Sequence, residues 1–173
     1  MIAIAAVDKN WGIGYKGKLL TSIPNDMKLF RNETKGNVII CGRKTLESFP
    51  GGRPLPGRVN IVLTSFPGYR SGDAVVVHDM DELFAKIKDY PDKNIYVAGG
   101  ASVYSELLPY CERALITRID FSFDADTYFP DLDKEEGWRL DGLSEEETYF
   151  DLCYTFTEYR NEKVKKWISQ EEN

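Results

Sequence analysis

Nothing in the cysteine usage of this chain can staple a fold. Cys41, Cys111 and Cys153 are odd in number and widely spaced, and no C-x-x-C pair occurs. Buried, reduced thiols in a cytosolic protein fit this pattern better than a disulfide framework. Basic excess is missing too. The net charge is −6 and the pI about 4.9, which argues against a general nucleic-acid binder, whose surface must offer cations to phosphates. A local basic pocket for a small anion is still compatible. No segment approaches the ~20 consecutive apolar residues of a membrane span. The opening run Ile2-Ala3-Ile4-Ala5-Ala6-Val7 is too short for a secretory leader and has no basic lead. Internal repeats, low-complexity segments, a G-x-G-x-x-G string and a P-loop are all absent, which excludes a standard Rossmann or nucleotide-hydrolase site. These absences leave a soluble protein expected in the cytoplasm, with no metal expected.

What is present is a 173-residue chain, 42% hydrophobic, enough for one domain with a true core. Residues 2–7 are expected as a strand buried on both faces. Residues 9–20, with Gly12, Gly14 and Gly17 among Lys9, Lys16 and Lys18, are expected as a mobile loop. Further strands are predicted at 38–41, 59–64, 74–77, 95–98 and 115–119, and helices at 24–34, about 44–49, 80–88 and 101–108. Short buried strands alternating with helices indicate an α/β fold with a mostly parallel sheet. The last third differs: residues 139–143 and 149–159 have no helix between them and alternate in polarity, so antiparallel strands should close the sheet. The charged segment 161–173 is expected as a C-terminal extension. Val164, Trp167 and Ile168 are spaced like a short amphipathic helix that either packs on the body or frays.

Asp26 is the first candidate for chemistry. Pro24 suits the first position of a helix, which puts Asp26 in the first turn, beside an apolar face carrying Met27, Phe30 and Thr34. Such a carboxylate is either a partner of the helix dipole or a group held in a pocket. Two strand–glycine–helix turns, Gly42-Arg43-Lys44-Thr45 and Gly99-Gly100-Ala101-Ser102, aim free backbone N–H groups at one place, as phosphate sites do; either alone is also an ordinary turn. Thr64-Ser65 ends a third strand. All three lie at carboxyl ends of strands, where open α/β sheets bind ligands. Arg53 and Arg58 bracket the proline-stiffened loop Gly52-Arg53-Pro54-Leu55-Pro56-Gly57-Arg58. A guanidinium held so suits bidentate capture of a carboxylate, and a rigid surface loop with solvated arginines is the other reading.

Taken together, these segments resemble dihydrofolate reductase. The resemblance is carried by Ile2–Val7, Gly12-Ile13-Gly14, Ile23-Pro24-Asn25-Asp26 with Phe30 and Thr34, and Gly42-Arg43-Lys44-Thr45 with Glu47-Ser48. It continues through Gly52–Arg58, Asn60–Ser65, Val97–Tyr104, Thr117-Arg118-Ile119-Asp120 and Asp126-Thr127-Tyr128-Phe129-Pro130. It covers residues 1–160 in the family's order. It implies a single-domain dihydrofolate-reductase-like fold: a central, mostly parallel mixed sheet with a C-terminal antiparallel hairpin, flanked by about four helices. It also implies hydride transfer from NADPH to dihydrofolate, with a water-borne proton added at the neighbouring ring nitrogen. Asp26 and Thr117 would then be catalytic, Asp26 bonding the pterin's amino and ring N–H groups and Thr117 bonding Asp26. Ile4 (by its carbonyl), Ala5, Met27, Phe30, Phe49 and Leu55 would line the pterin pocket. Arg58 would take the tail carboxylate, with Arg31 and Arg53 nearby. The cofactor would lie across Ala6, Ile13, Gly14, Lys18, Leu19, Gly42, Thr45, Leu63, Ala98, Gly99, Gly100, Ala101, Ser102, Val103 and Tyr104. Arg43, Lys44, Thr64 and Ser65 would meet the phosphate that separates NADPH from NADH. His78, the single histidine, aligns near the adenosine; from its own context it is a surface histidine after a strand. The loop Lys9 to Leu20 would be a lid that excludes water. A monomer without nucleic-acid or membrane partners is expected.

The chain departs from the family pattern at two places. Thr21 stands five residues before the acid, where most members carry a tryptophan. Ser102 stands where some carry an arginine, which leaves Arg43 and Lys44 as the main cationic determinants of NADPH preference. Two alternatives stay open on these residues: a related reductase of another heterocycle, such as the ribosylated pyrimidine of flavin synthesis, and a non-catalytic binder of pterin or NADPH.

Overall fold

The computed structural model describes residues 1–167. In chain order the elements are β1 (Ile2–Val7), β2 (Gly12–Tyr15), β3 (Lys18–Leu19), α1 (Pro24–Thr34), β4 (Val38–Gly42), α2 (Arg43–Glu47), β5 (Val59–Leu63), β6 (Val75–Val77), α3 (Met80–Ile87), β7 (Ile95–Val97), α4 (Ala101–Leu107), β8 (Arg113–Ile119), β9 (Thr127–Tyr128), β10 (Trp138–Leu143), β11 (Glu147–Tyr149) and β12 (Leu152–Asn161). Among the described residues the main sheet runs β10-β12-β8-β1-β7-β4-β5-β6, with β11 paired to β12. Every pairing from β8 to β6 is parallel, and β12 joins β8, β10 and β11 antiparallel. The fold is therefore α/β with a central mixed sheet and four helices, as expected.

The apolar runs are strands because both faces of the sheet are covered. Alternate residues serve opposite layers. Ile2, Ile4, Ile39 and Tyr96 pack with Phe30 of α1, while Cys41 and Val62 pack with Leu46 of α2. On the other face Ala3, Val7, Val38, Ile40 and Val97 pack with Leu83 and Phe84 of α3 and with Val103, Tyr104 and Leu107 of α4. Each such Ile, Leu or Val withdrawn from water contributes about 2 kcal/mol.

Three expectations need correction. The segment 9–20 is not an open loop: β2 and β3 form a hairpin, and β2 also pairs with β9. Asp8 starts it. Its fully buried carboxylate accepts the backbone N–H groups of Asn10, Gly12 and Phe123 at 2.9, 2.8 and 3.0 Å. The N–H of Lys16 bonds Asp126 at 2.9 Å. Secondly, the predicted strand 149–159 is broken by a turn at Phe150, whose φ is +52, so β11 and β12 make their own hairpin. Thirdly, the tail is not helical as far as it is described. Val164 to Trp167 has no regular structure, yet it packs on the body: Lys165 donates its N–H to Pro109 O at 2.9 Å, and Trp167 stacks on Phe84 with ring centroids 6.0 Å apart. Ile168, part of the same expectation, lies outside the described residues. Among the described residues no helix is long and apolar enough to cross a membrane.

Candidate active site

Helix α1 begins at Pro24, and Ile23 before it offers no side-chain cap. Side-chain bonds to neighbouring strands hold its first turn instead, a long one from Asn25 to Glu147 of β11 at 3.5 Å among them. Asp26 accepts a bond from the Thr117 hydroxyl of β8 at 2.6 Å. Asn25 donates to the Tyr154 hydroxyl of β12 at 3.1 Å. Thr117 is 2% exposed and Asp26 is half-buried. Burial raises the Asp26 carboxyl above its ordinary value, and the Thr117 bond partly opposes the rise. A carboxylate so placed accepts hydrogen bonds and favours a nearby positive charge.

Beside it, Phe30, Phe49 and Leu55 pack on the layer of Ile2, Ile4 and Ile39, giving an apolar wall. Ala5 and Ala6 are half-buried in β1. Met27 stands at the rim, 56% exposed. The carbonyl of Ile4 accepts the Tyr104 hydroxyl at 2.7 Å. Arg58 closes the far end. Its guanidinium carbon lies 5.9 Å from the Phe30 ring centroid, and its Nε is buried without a hydrogen-bond partner. Burial, then the charge of Arg31, lowers its pKa. A buried, unpaired guanidinium N–H calls for an anionic acceptor. Arg53 and Arg31 are both exposed, and the Arg53 side chain folds back along Gly51.

On the other side of the site, the carboxyl ends of β4 and β7 meet. The N–H of Gly42 bonds Gly99 O at 2.8 Å, and the Gly99–Gly100 peptide is cis. Gly99 has φ +115, and a Cβ there would sit 3.3 Å from the Tyr104 ring; one on Gly100 would sit 3.3 Å from Thr45 Oγ1. A side chain at either position would have to push these neighbours aside, and at Gly99 it would also take a strained backbone conformation, so backbone lines the cleft. Val103 and Tyr104 are buried beneath it, and Ser102 is exposed at the start of α4, after Ala101. Ala98 is tied to Ile40 O at 2.8 Å. At the end of β5, beyond Leu63, the Thr64 carbonyl lies 2.7 Å from His78 Nδ1, so Thr64 and His78 do come together, with Ser65 exposed beside them. Lys44 is exposed, but Arg43 is committed: its Nη1 bonds both oxygens of Glu47 at 3.1 Å, and it lies 5.8 Å from the Phe66 ring. In the β2–β3 hairpin Ile13 and Gly14 are half-buried, Ile13 packing on the core, while Lys18 and Leu19 are exposed, Leu19 to 77%.

Several residues escaped the sequence reading. Asn60 is 3% exposed in an otherwise apolar strand, and its amide bonds both the N–H and the carbonyl of Leu55 at 2.9 Å, with Arg58 O at 3.2 Å. It fixes the proline loop that carries Arg58. A lone polar residue in such a run was the available signal, because a buried amide needs partners. Glu47, Asp8 and the Asn25–Tyr154 pair had no comparable local signal. Trp11 is buried on the opposite side of the sheet from Asp26, against Phe129 and Tyr159.

The family model for dihydrofolate reductase matches residues 1–161. The dihydrofolate reductase of Bacillus subtilis (strain 168) is 38% identical over 162 residues, spanning 91% of this chain and 94% of that protein. The dihydrofolate reductase of Enterococcus faecium is 41% identical over 133 residues, spanning 76% and 78%. Among solved structures, dihydrofolate reductase from Enterococcus faecalis, complexed with NADP(H) and RAB-propyl, superposes with a TM-score of 0.82 at 34% identity, covering 92% of this chain and 95% of that one. Fold and sequence agree: the chain belongs to the dihydrofolate reductase family.

Proposed function

We propose that this protein reduces 7,8-dihydrofolate to 5,6,7,8-tetrahydrofolate with NADPH, and so supports one-carbon and thymidylate metabolism. The observation that carries the reading is the Asp26–Thr117 pair, 2.6 Å apart at the edge of an apolar pocket. The Asp26 carboxylate accepts the pterin's amino and ring N–H groups. Its charge favours the protonated ring, which accepts a hydride more readily. The proton itself comes through water, since a carboxylate bonded to the pterin's amino and ring N–H groups is too far from the accepting ring nitrogen. Thr117 donates to Asp26, which leaves its oxygen to accept from the substrate amino group. Phe30, Phe49 and Leu55 wall the ring. Arg58 pairs with the tail carboxylate, which satisfies its orphaned Nε.

The residues present fit NADPH. The Gly42, Gly99 and Gly100 backbone forms a cradle that any Cβ would fill. When bound there, NADPH supplies the hydride. Arg43, Lys44, Thr64 and Ser65 hold its extra phosphate, with Glu47 orienting Arg43. Ile13, Gly14, Lys18 and Leu19 cover the reacting face and exclude water. In this reading the protein is a cytoplasmic monomer, in keeping with the free thiols of Cys41 and Cys111.

The test is oxidation of NADPH followed by absorbance, with either dihydrofolate or the ribosylated aminopyrimidine of flavin synthesis as acceptor. Turnover with dihydrofolate alone is expected. Turnover with the pyrimidine alone, or with neither, rejects the reading.

A further inference from the structure

We propose that Arg118 is a positioning residue that fastens the root of the β2–β3 hairpin to the back of the main sheet through the Trp11 ring. The inference rests on the reading that this hairpin covers the reacting face. At Trp11 the chain leaves Asp8 and turns into β2. Its φ is +62, a left-handed conformation that a bulky residue takes only where its surroundings impose it.

Those surroundings are specific. The Trp11 ring is 4% exposed. It stacks on Phe129 with centroids 6.1 Å apart and meets Tyr159 edge-on at 5.8 Å. Its carbonyl accepts the Phe129 N–H at 2.8 Å. The Arg118 guanidinium lies 4.4 Å from the indole centroid. A cation over a tryptophan face is the strongest pairing of its kind, more so when partly removed from water. Arg118 is itself held: Nη1 donates to the Tyr159 hydroxyl at 2.8 Å and to Asp133 Oδ2 at 3.1 Å, and the Tyr159 hydroxyl donates to Asp133 Oδ1 at 2.8 Å.

Beyond Trp11 the hairpin is held by Ile13, which packs on the core, by Asp8 at Gly12, by the short pairing with β9, and by two bonds to Asp126, whose N–H donates to Gly14 O and whose carboxylate accepts the Lys16 N–H. Tyr15 and Leu19 are exposed, so Trp11 is the one large side chain that roots the segment in the core. Thr117 and Arg118 are neighbours on β8, and neighbours on a strand point to opposite faces. One face holds Asp26 through Thr117, and the other holds the hairpin root through Arg118. A single strand thus aligns the acid with its cover.

Limited trypsin digestion at the exposed Lys16 and Lys18 reads the anchor without any substrate. In folded Arg118→Met, with native circular dichroism and unchanged NADPH affinity, cleavage there should be about tenfold faster. The value of kcat should fall about tenfold, with KM for dihydrofolate within about twofold. Arg118→Lys, which keeps the cation, should restore most of both. Cleavage at the wild-type rate in folded Arg118→Met overturns the proposal, as does activity lost only in proportion to unfolded protein. If Arg118→Met does not fold, Tyr159→Phe removes only the hydroxyl that orients the guanidinium; about threefold faster cleavage is expected, and an unchanged rate rejects the anchor. Faster cleavage in the variant, beside a wild type that does not turn over dihydrofolate, leaves the anchor standing and rejects the functional reading alone.

Discussion

The two halves of the candidate site are made of different material. Around Asp26 the walls are side chains: Phe30, Phe49 and Leu55 continue a core layer, Thr117 reaches across from β8, and Arg58 sits at the end on a loop braced by Asn60. Around Gly42, Gly99 and Gly100 the surface is backbone, and side chains added at Gly99 or Gly100 would crowd Tyr104 or Thr45. The first half can choose a ligand by shape and charge at single atoms. The second offers N–H groups and room, and adds its charge from Arg43 and Lys44 at the edge. Substitutions should therefore separate along this division, with those on one side leaving the other ligand's affinity nearly untouched.

The largest effect expected from such a separation is at Arg58. Replacing it by Met removes a charge-assisted contact worth about 2 kcal/mol, so KM for dihydrofolate should rise about thirtyfold while kcat and NADPH affinity hold. Steady-state kinetics against both ligands checks this. A comparable loss of NADPH affinity would erase the division.

Next is Gly99→Ala. Its φ of +115 and the Tyr104 ring 3.3 Å from the new Cβ impose strain of about 1–3 kcal/mol. NADPH affinity, measured by fluorescence titration, should weaken about tenfold, with dihydrofolate binding changed far less. A smaller shift is expected when Arg43 and Lys44 both become alanine. The preference for NADPH over NADH should collapse toward parity, and an unchanged ratio of kcat/KM values would move phosphate recognition to Thr64 and Ser65.

The smallest effect is on stability. Burial holds the Asp26 pKa above its unfolded value, so this group's stabilising contribution is full below the unfolded pKa and is lost as pH rises through the folded one. At neutral pH the ionised carboxylate weakens the fold, and Asp26→Asn, whose amide oxygen still accepts from Thr117, should raise Tm by a few degrees. The gain should vanish by about pH 3, where both forms are neutral.

The same division governs what the sequence made legible. The parallel strands were visible because burial on both faces makes them continuous apolar runs, as in Val38-Ile39-Ile40-Cys41. The hairpin at 12–19 was hidden because Gly, Lys and Tyr give no alternation; it is ordered by Asp8 and by pairing with Thr127–Tyr128, more than a hundred residues away. The turn Phe150-Asp151 was likewise hidden: it has an Asp but no Gly, and a phenylalanine is an unexpected residue at positive φ. In the site, the glycine turns could be seen locally because backbone exposure needs glycine. Thr117 could not be: it lies 91 residues from Asp26, and nothing in either segment alone points to the other. Family resemblance supplied that link. Nor does composition reveal that Arg43 is already bound by Glu47, or that Trp11 faces away from Asp26, since both follow from packing.

The central claim is that Asp26 is the group on which reduction depends, within a cleft that binds NADPH independently of it. The most direct measurement is the single-turnover rate of hydride transfer in Asp26→Asn at neutral pH, with NADPH affinity measured on the same sample. The account predicts a rate lower by at least about a hundredfold and NADPH affinity within about twofold of wild type. Hydride transfer near the wild-type rate in a folded Asp26→Asn would contradict it.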